Sequence, residues 1–286
     1  MTHPHRIAAW ALSLGLAASA GGVFAADTGS GHFRMADDRV TFRHAIAVRH
    51  DAAVDAAASE TYIFLSDRPL DPATVAAAFD PDDGARASYG EHSGGYVRIC
   101  ITAEGEECGL FYRRFEPSDS FNSSGYGELS LTTRSDGRIA GRWALEEPED
   151  FFDKTYDFDL RFDAKIHAAP GTALPAGGGD AGKAYRAYAG AVARGDAAAL
   201  RPFLGTGADW RLPDNEPARV RETLKELRDG QPLDPEILRG RRDGDSVVLW
   251  IRGVDRDEIP REGRVRMRLH DGAWVVESHD LDSVDR

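Results

Sequence analysis

Two cysteines, three methionines and four lysines are all that 286 residues contain of those types. Past residue 25 no apolar run approaches the roughly 20 residues that a bilayer-spanning helix needs, which excludes an integral α-helical membrane protein from the later chain. No H-E-x-x-H, no Cys-x-x-Cys and no Gly-rich phosphate loop occurs. Phe121 stands where a Gly-x-Ser-x-Gly elbow around Ser123 would need its first glycine. Past residue 25 the histidines at 32, 44, 50, 92, 167, 270 and 279 show no metal-ligand spacing, so no metal and no cofactor is expected. The sequence therefore names no catalytic residue.

Basic charge is also scarce: 35 Lys+Arg against 48 Asp+Glu give a net charge of -13 and an isoelectric point near 5.1. A strongly acidic chain does not suit a nucleic-acid backbone, so no nucleic-acid partner is expected. The basic residues are 31 Arg to 4 Lys beside abundant Ala, the composition of a GC-rich bacterial gene, so arginine abundance alone carries no functional meaning. The acidity is lopsided: residues 31–167 hold 15 basic and 26 acidic residues, net -11, and residues 180–286 hold 19 and 21, net -2.

Residues 1–25 open with Arg6, run through the apolar stretch Ile7–Leu16 and end in Val23-Phe24-Ala25. A charged start, a short apolar core and small residues at the cleavage position are the pattern of a secretory signal peptide. The expectation is a mature chain in the periplasm or outside the cell. Cys100 and Cys108 fit that compartment. They flank a strand–turn–strand pattern centred on Glu104, which puts them opposite one another as a disulfide across a hairpin. The acidic Glu104, Glu106 and Glu107 would raise a thiol pKa, which disfavours a redox pair.

Residues 168–179, rich in Pro and Gly, read as a flexible linker between two domains. The first, 31–167, is mainly antiparallel β, a sandwich or a barrel. Residues 155–166 alternate Tyr156, Phe158, Leu160, Phe162, Ala164 and Ile166 with charged neighbours, a strand buried on one side. Val40, Phe42, Ile46 and Val48 make a second such strand, with His44 on its apolar face. Asp136-Gly137 joins a hairpin, and Asp71-Pro72 opens a single short helix. Asp80-Pro81-Asp82-Asp83-Gly84 fails the spacing of a calcium loop, and the acidic run Glu146 to Asp153 around Phe151-Phe152 reads as a solvated loop.

The second domain, 180–286, places helices before strands, an α+β arrangement. Tyr185, Tyr188, Ala189 and Val192 share one helical face, Arg194-Gly195 ends that helix, Asp196 caps a second, and Pro217 opens a third. Strands at 237–242, 245–252, 264–269 and 273–279 follow. The run Tyr185-Arg186-Ala187-Tyr188 … Gly195-Asp196 … Leu200, with Asp271-Gly272-Ala273-Trp274-Val275-Val276 at the end, resembles the nuclear-transport-factor-2-like (SnoaL-like) superfamily. That resemblance covers the last third of the chain. It implies a cone of helices over a curved antiparallel sheet, often enclosing a pocket, in isomerases, cyclases and non-enzymatic binding modules. An isomerase-like site needs an inward carboxylate; Glu277 and His279, taken to share the Val275 face, are the nearest candidates.

The reading that results is a secreted or periplasmic, non-catalytic two-domain binding protein for a small apolar ligand or another protein. Tyr185, Tyr188, Trp210, Leu224 and Trp274 are the pocket candidates, because aromatics dominate apolar pockets. Arg264, Arg266 and Arg268 line one strand face, either solvated, or as a patch for an anion, a partner or the acidic first domain. The alternatives are a small enzyme, isomerase-like or hydrolytic, and an inhibitor or immunity protein whose acidic domain meets a basic envelope-targeting partner. The oligomeric state is open, a homodimer being one option.

Overall fold

A computed structural model describes residues 26–51, 55–205, 212–213 and 216–284. Residues 1–25, read from the sequence as a signal peptide, and Trp210 lie outside the described residues. Two β-sheets dominate. In chain order the first part holds β1 (Thr28–Met35), β2 (Asp38–Phe42), β3 (His44–His50), β4 (Glu60–Ser66), α1 (Pro72–Ala77), α2 (Pro81–Tyr89), β5 (Gly95–Ile101) and β6 (Glu107–Arg114). It continues with β7 (Asp119–Ser123), β8 (Glu128–Arg134), β9 (Arg138–Ala144), β10 (Glu149–Phe151) and β11 (Lys154–His167). After it come β12 (Thr172–Ala173), α3 (Gly179–Arg194), α4 (Ala197–Leu200), α5 (Pro217–Asp229), β13 (Glu236–Asp243), β14 (Ser246–Val254), β15 (Pro260–His270) and β16 (Ala273–Ser283).

The first sheet is open, with eleven strands, and β11 is its hub. Its alternation holds because one side faces a core: Tyr156, Phe158, Leu160, Phe162 and Ala164 are buried while the intervening positions are not. β1 and β9 flank β11 antiparallel, and its last residues pair in parallel with β3, Ile166 with Ala47. The sheet is therefore mixed and open rather than a purely antiparallel closed barrel. Side chains from β1, β2, β9 and β11 meet those of β3–β7 in one aromatic-rich cluster around Phe33, which stacks on Tyr112 at 4.2 Å.

The stretch 40–48 is two strands, not one. The chain breaks at Arg43, whose N–H donates to the Ser66 carbonyl. Val40, Phe42, Ala45 and Ala47 face the main core, whereas Ile46 and Val48 face the opposite side. β3 is apolar on both faces because both are covered, and His44 stays half-buried at its start. The cover over the second face is α1 and α2, packing Val75, Ala85 and Tyr89 on Phe64 and Tyr96. The sequence reading has one helix here. The second begins with the same Asp-Pro pair: Asp80 caps the Asp82 N–H and Pro81 occupies the first turn.

Cys100 and Cys108 form the expected disulfide, with Cα atoms 5.0 Å apart. Cys100 pairs in register with Gly109, so Cys108 occupies a bulge beside it. The segment read as a flexible linker is ordered. Thr172 and Ala173 pair with Arg242 and Arg241 as β12, and the Leu174 N–H donates to the Gly240 carbonyl. A Cβ on Gly182 of α3 would lie 1.9 Å from the Gly177 carbonyl oxygen, so two glycines permit this segment to pack against the helix.

The second sheet runs β12-β13-β14-β15-β16, antiparallel throughout. Its inner face, with Val247, Leu249, Ile251, Val265 and Met267, packs on Tyr185, Tyr188 and Val192 of α3 and Leu224 and Leu227 of α5. Gly195, at φ 65°, ends α3 by donating to the carbonyls of Ala191 and Val192. The outer face carries the arginines, and it meets the first part of the chain. Arg264, 6% exposed, lays its guanidinium 4.6 Å from the Phe79 ring centre and donates to the Phe79 carbonyl at 2.9 Å. The Trp250 indole donates to the Asp51 carbonyl at 2.7 Å, and Arg241 donates to the Asp51 carboxylate at 3.1 Å.

Candidate functional site

Behind the inner face of the second sheet lies a hydrogen-bonded chain in an otherwise apolar core. Tyr188 comes from the buried stripe of α3, Gln231 from the turn after α5, and His279 from β16. The Gln231 amide donates to the Tyr188 hydroxyl at 2.8 Å and lies 3.3 Å from His279 Nε2. Gln231 is 1% exposed, and its Oε1 is buried without a hydrogen-bond partner among the described residues. Burial pushes the His279 imidazole down to about 4, so it is neutral at pH 7. A neutral ring accepting at Nε2 carries its proton on Nδ1. Tyr185 stacks on Tyr188 at 5.7 Å, fully buried, and its hydroxyl has no partner among the described residues. Burial raises both phenols well above their usual range, so neither ionises near neutrality.

This chain borders a cavity of about 330 Å³ lined by Thr223, Leu227, Gly230, Gln231, His279 and Leu281, with Glu226 at its wall. Gln231 and His279 supply the polar groups, Leu227 and Leu281 the apolar ones. Glu226 is an exposed residue of α5. The lining suits an uncharged molecule with an apolar body.

A β-bulge decides which side chains reach this place. Opposite Arg266 and Met267, the register of β16 slips by one residue. Strand alternation alone would put Glu277 and His279 on one face, as the sequence suggests. The extra residue separates them. His279 pairs with Val265 and turns inward, while Glu277 joins the arginine face and binds Arg266 at 3.2 Å and Arg268 at 2.6 Å. The carboxylate that an isomerase-like site would need is thus committed to an outer ion-pair cluster.

The other sequence candidates fall as follows. Tyr185, Tyr188 and Leu224 are buried in the helix–sheet core, and Trp274 is packed partly buried against it. None of these four lines the cavity; Tyr188 reaches it only through Gln231. Arg264, Arg266 and Arg268 form a graded series, with side chains 8%, 35% and 50% exposed. Arg264 is a buried docking residue against the first part of the chain, and Arg268 is solvated. Glu60, Cys100 and Cys108 lie close enough to hold a metal, but both sulfurs are consumed by the disulfide.

Sequence reasoning missed Gln231, which sits in an irregular turn with no periodicity, and His50. His50 is 8% exposed, stacks on Tyr62 at 4.2 Å and is driven down to about 3 by burial and then by Arg264 and Arg98. The one available signal for His50 was its place at the end of a strand buried on both faces. No protein-family model, no curated protein and no solved structure matches the chain.

Proposed function

We propose that the chain is a secreted or periplasmic, non-catalytic binding protein. In this reading a β-rich N-terminal domain is joined to a C-terminal cone of helices over a curved sheet, related to the nuclear-transport-factor-2-like group. Its ligand is a small, largely apolar molecule. The observation that carries this reading is the 330 Å³ cavity lined by Leu227 and Leu281 beside Gln231 and His279.

Binding is favoured over catalysis because the only carboxylate at the cavity among the described residues is Glu226 on the exposed side of α5, while Glu277 is held on the far face. The leader-like residues 1–25 and the disulfide support an oxidising compartment. N-phenyl-1-naphthylamine, apolar with one N–H, is a suitable fluorescent probe. Saturable binding that Thr223→Trp blocks by filling the cavity supports the reading. No saturable binding, or equal binding to Thr223→Trp, overturns it.

A further inference from the structure

Five large apolar side chains are exposed among the described residues, and three of them stand together: Tyr126 at 50%, Phe151 at 40% and Phe152 at 92%. Phe151 packs edge-on to Phe121 at 4.8 Å and to Phe152 at 4.8 Å. The hairpin that carries them is tight: Phe151 pairs with Lys154, leaving Phe152 and Asp153 as a two-residue loop. Phe152 has φ 55°, the left-handed region. That loop position normally takes Gly or Asn, which adopt positive φ at little cost. A phenylalanine there is disfavoured by the backbone and again by exposure to water, so folding gains nothing from it. Strain of this kind points to function.

Next to the hairpin is a cavity of about 500 Å³, bounded by Phe121, Asn122 and Ser123 of β7 on one side and by Tyr126, Asp150 and Phe151 on the other. β7 pairs with β6 along one edge, and no strand pairs with its other edge among the described residues. Glu146, Glu147, Glu149, Asp150 and Asp153, all exposed, surround the aromatic tip. None of the five makes an ion pair among the described residues; the nearby Lys154 is directed to Asp119 at 3.9 Å. The patch thus combines aromatic faces, an excess of carboxylates over the Arg98 and Lys154 that border it, and a strand edge unpaired among the described residues.

We infer that this end of the first sheet is a docking surface for a basic, extended segment of a partner protein, which adds as a strand to β7. Main-chain hydrogen bonds to β7 would supply affinity, and lysine or arginine side chains would meet both the carboxylates and the aromatic faces. The surface is separate from the Gln231 cavity, so each reading stands or fails without the other.

The probe is a fluorescently labelled peptide, Lys-Val-Lys-Val-Lys-Val-Lys, followed by anisotropy. The expectation is saturable binding that weakens in 0.5 M NaCl, a screening concentration of the order that collapses the Debye length to a few ångström. Phe152→Asn should weaken binding about tenfold, the effect of losing one aromatic anchor, with no loss of thermal stability because Asn accepts positive φ. N-methylation along one edge of the peptide should abolish binding, and along the other edge should not. Equal binding of the Glu-for-Lys peptide, an unchanged affinity in Phe152→Asn, indifference to N-methylation, or no saturable binding at all overturns the inference. Binding of cellohexaose in place of the peptide also overturns it, in favour of a glycan surface.

Discussion

Replacing Arg264 by Met tests how the second sheet is held to the first part of the chain. The substitution keeps the apolar stem and removes the guanidinium. Three interactions go with it: the bond to the Phe79 carbonyl at 2.9 Å, the bond to Asp280 at 2.7 Å, and the stacking on the Phe79 ring at 4.6 Å. A hydrogen bond from a charged donor contributes about 1.5–3 kcal/mol and a cation–π contact about 1 kcal/mol. Asp280 is 52% exposed, so water recovers much of its loss and its share is discounted. The sum is a destabilisation of about 2–4 kcal/mol, or roughly 4–16 °C in Tm for a chain of this size. Arg268→Met is the control: with its side chain 50% exposed, it should cost less than about 1 kcal/mol. Urea titration of both variants with tryptophan fluorescence reads the difference. Equal costs, or an Arg264→Met variant within about 0.5 kcal/mol of the parent, would refute the assignment of Arg264 as a docking residue.

Two further outcomes follow from the same geometry. Both buried histidines have folded pKa values below the ordinary 6.5, about 4 for His279 and about 3 for His50. Below pH 6.5 the unfolded chain takes up protons that the folded chain refuses, so stability falls as pH drops from 6.5 and levels off near 3–4, where the folded rings also protonate. At 1.36 kcal/mol per unit, the ceiling is about 3 kcal/mol for His279 and about 5 kcal/mol for His50; His279→Gln should flatten the slope of urea midpoint against pH, and an unchanged slope would count against a neutral, desolvated His279. The disulfide closes a short loop, sequence separation 8, for which chain entropy gives about 2–3 kcal/mol. Cys108 is exposed, so a reducing agent should lower Tm without removing the far-ultraviolet signal of the sheets, and a reductant-insensitive Tm would contradict this.

The parts of the fold that local chemistry dictates were legible. Residues 155–166 alternate because β11 buries one face, and the Asp136-Gly137, Asp243-Gly244 and Asp271-Gly272 pairs each mark a hairpin that the structure contains. The Asp80-Pro81 pair was as good a helix signal as Asp71-Pro72, and its acidic neighbours drew attention to calcium instead. What could not be read was anything set by distant contacts. The parallel join of β11 to β3 and the order of the 168–179 segment depend on neighbours far along the chain. So does the burial of Arg264, which differs from Arg268 only in what lies against it. The site failed to show for a sharper reason: one inserted residue opposite Arg266 and Met267 turns His279 inward and leaves Glu277 on the arginine face, and a period-two pattern carries no mark of a bulge.

The central claim is that His279 is a neutral ring in a hydrogen-bonded chain at the wall of a ligand cavity. Long-range ¹H–¹⁵N NMR of the imidazole at pH 6 tests it directly. The expected spectrum is that of a neutral ring protonated at Nδ1, whose nitrogen shifts move when N-phenyl-1-naphthylamine is added to saturation. A ring that is cationic at pH 6, or one whose resonances ignore the bound probe, would contradict the account.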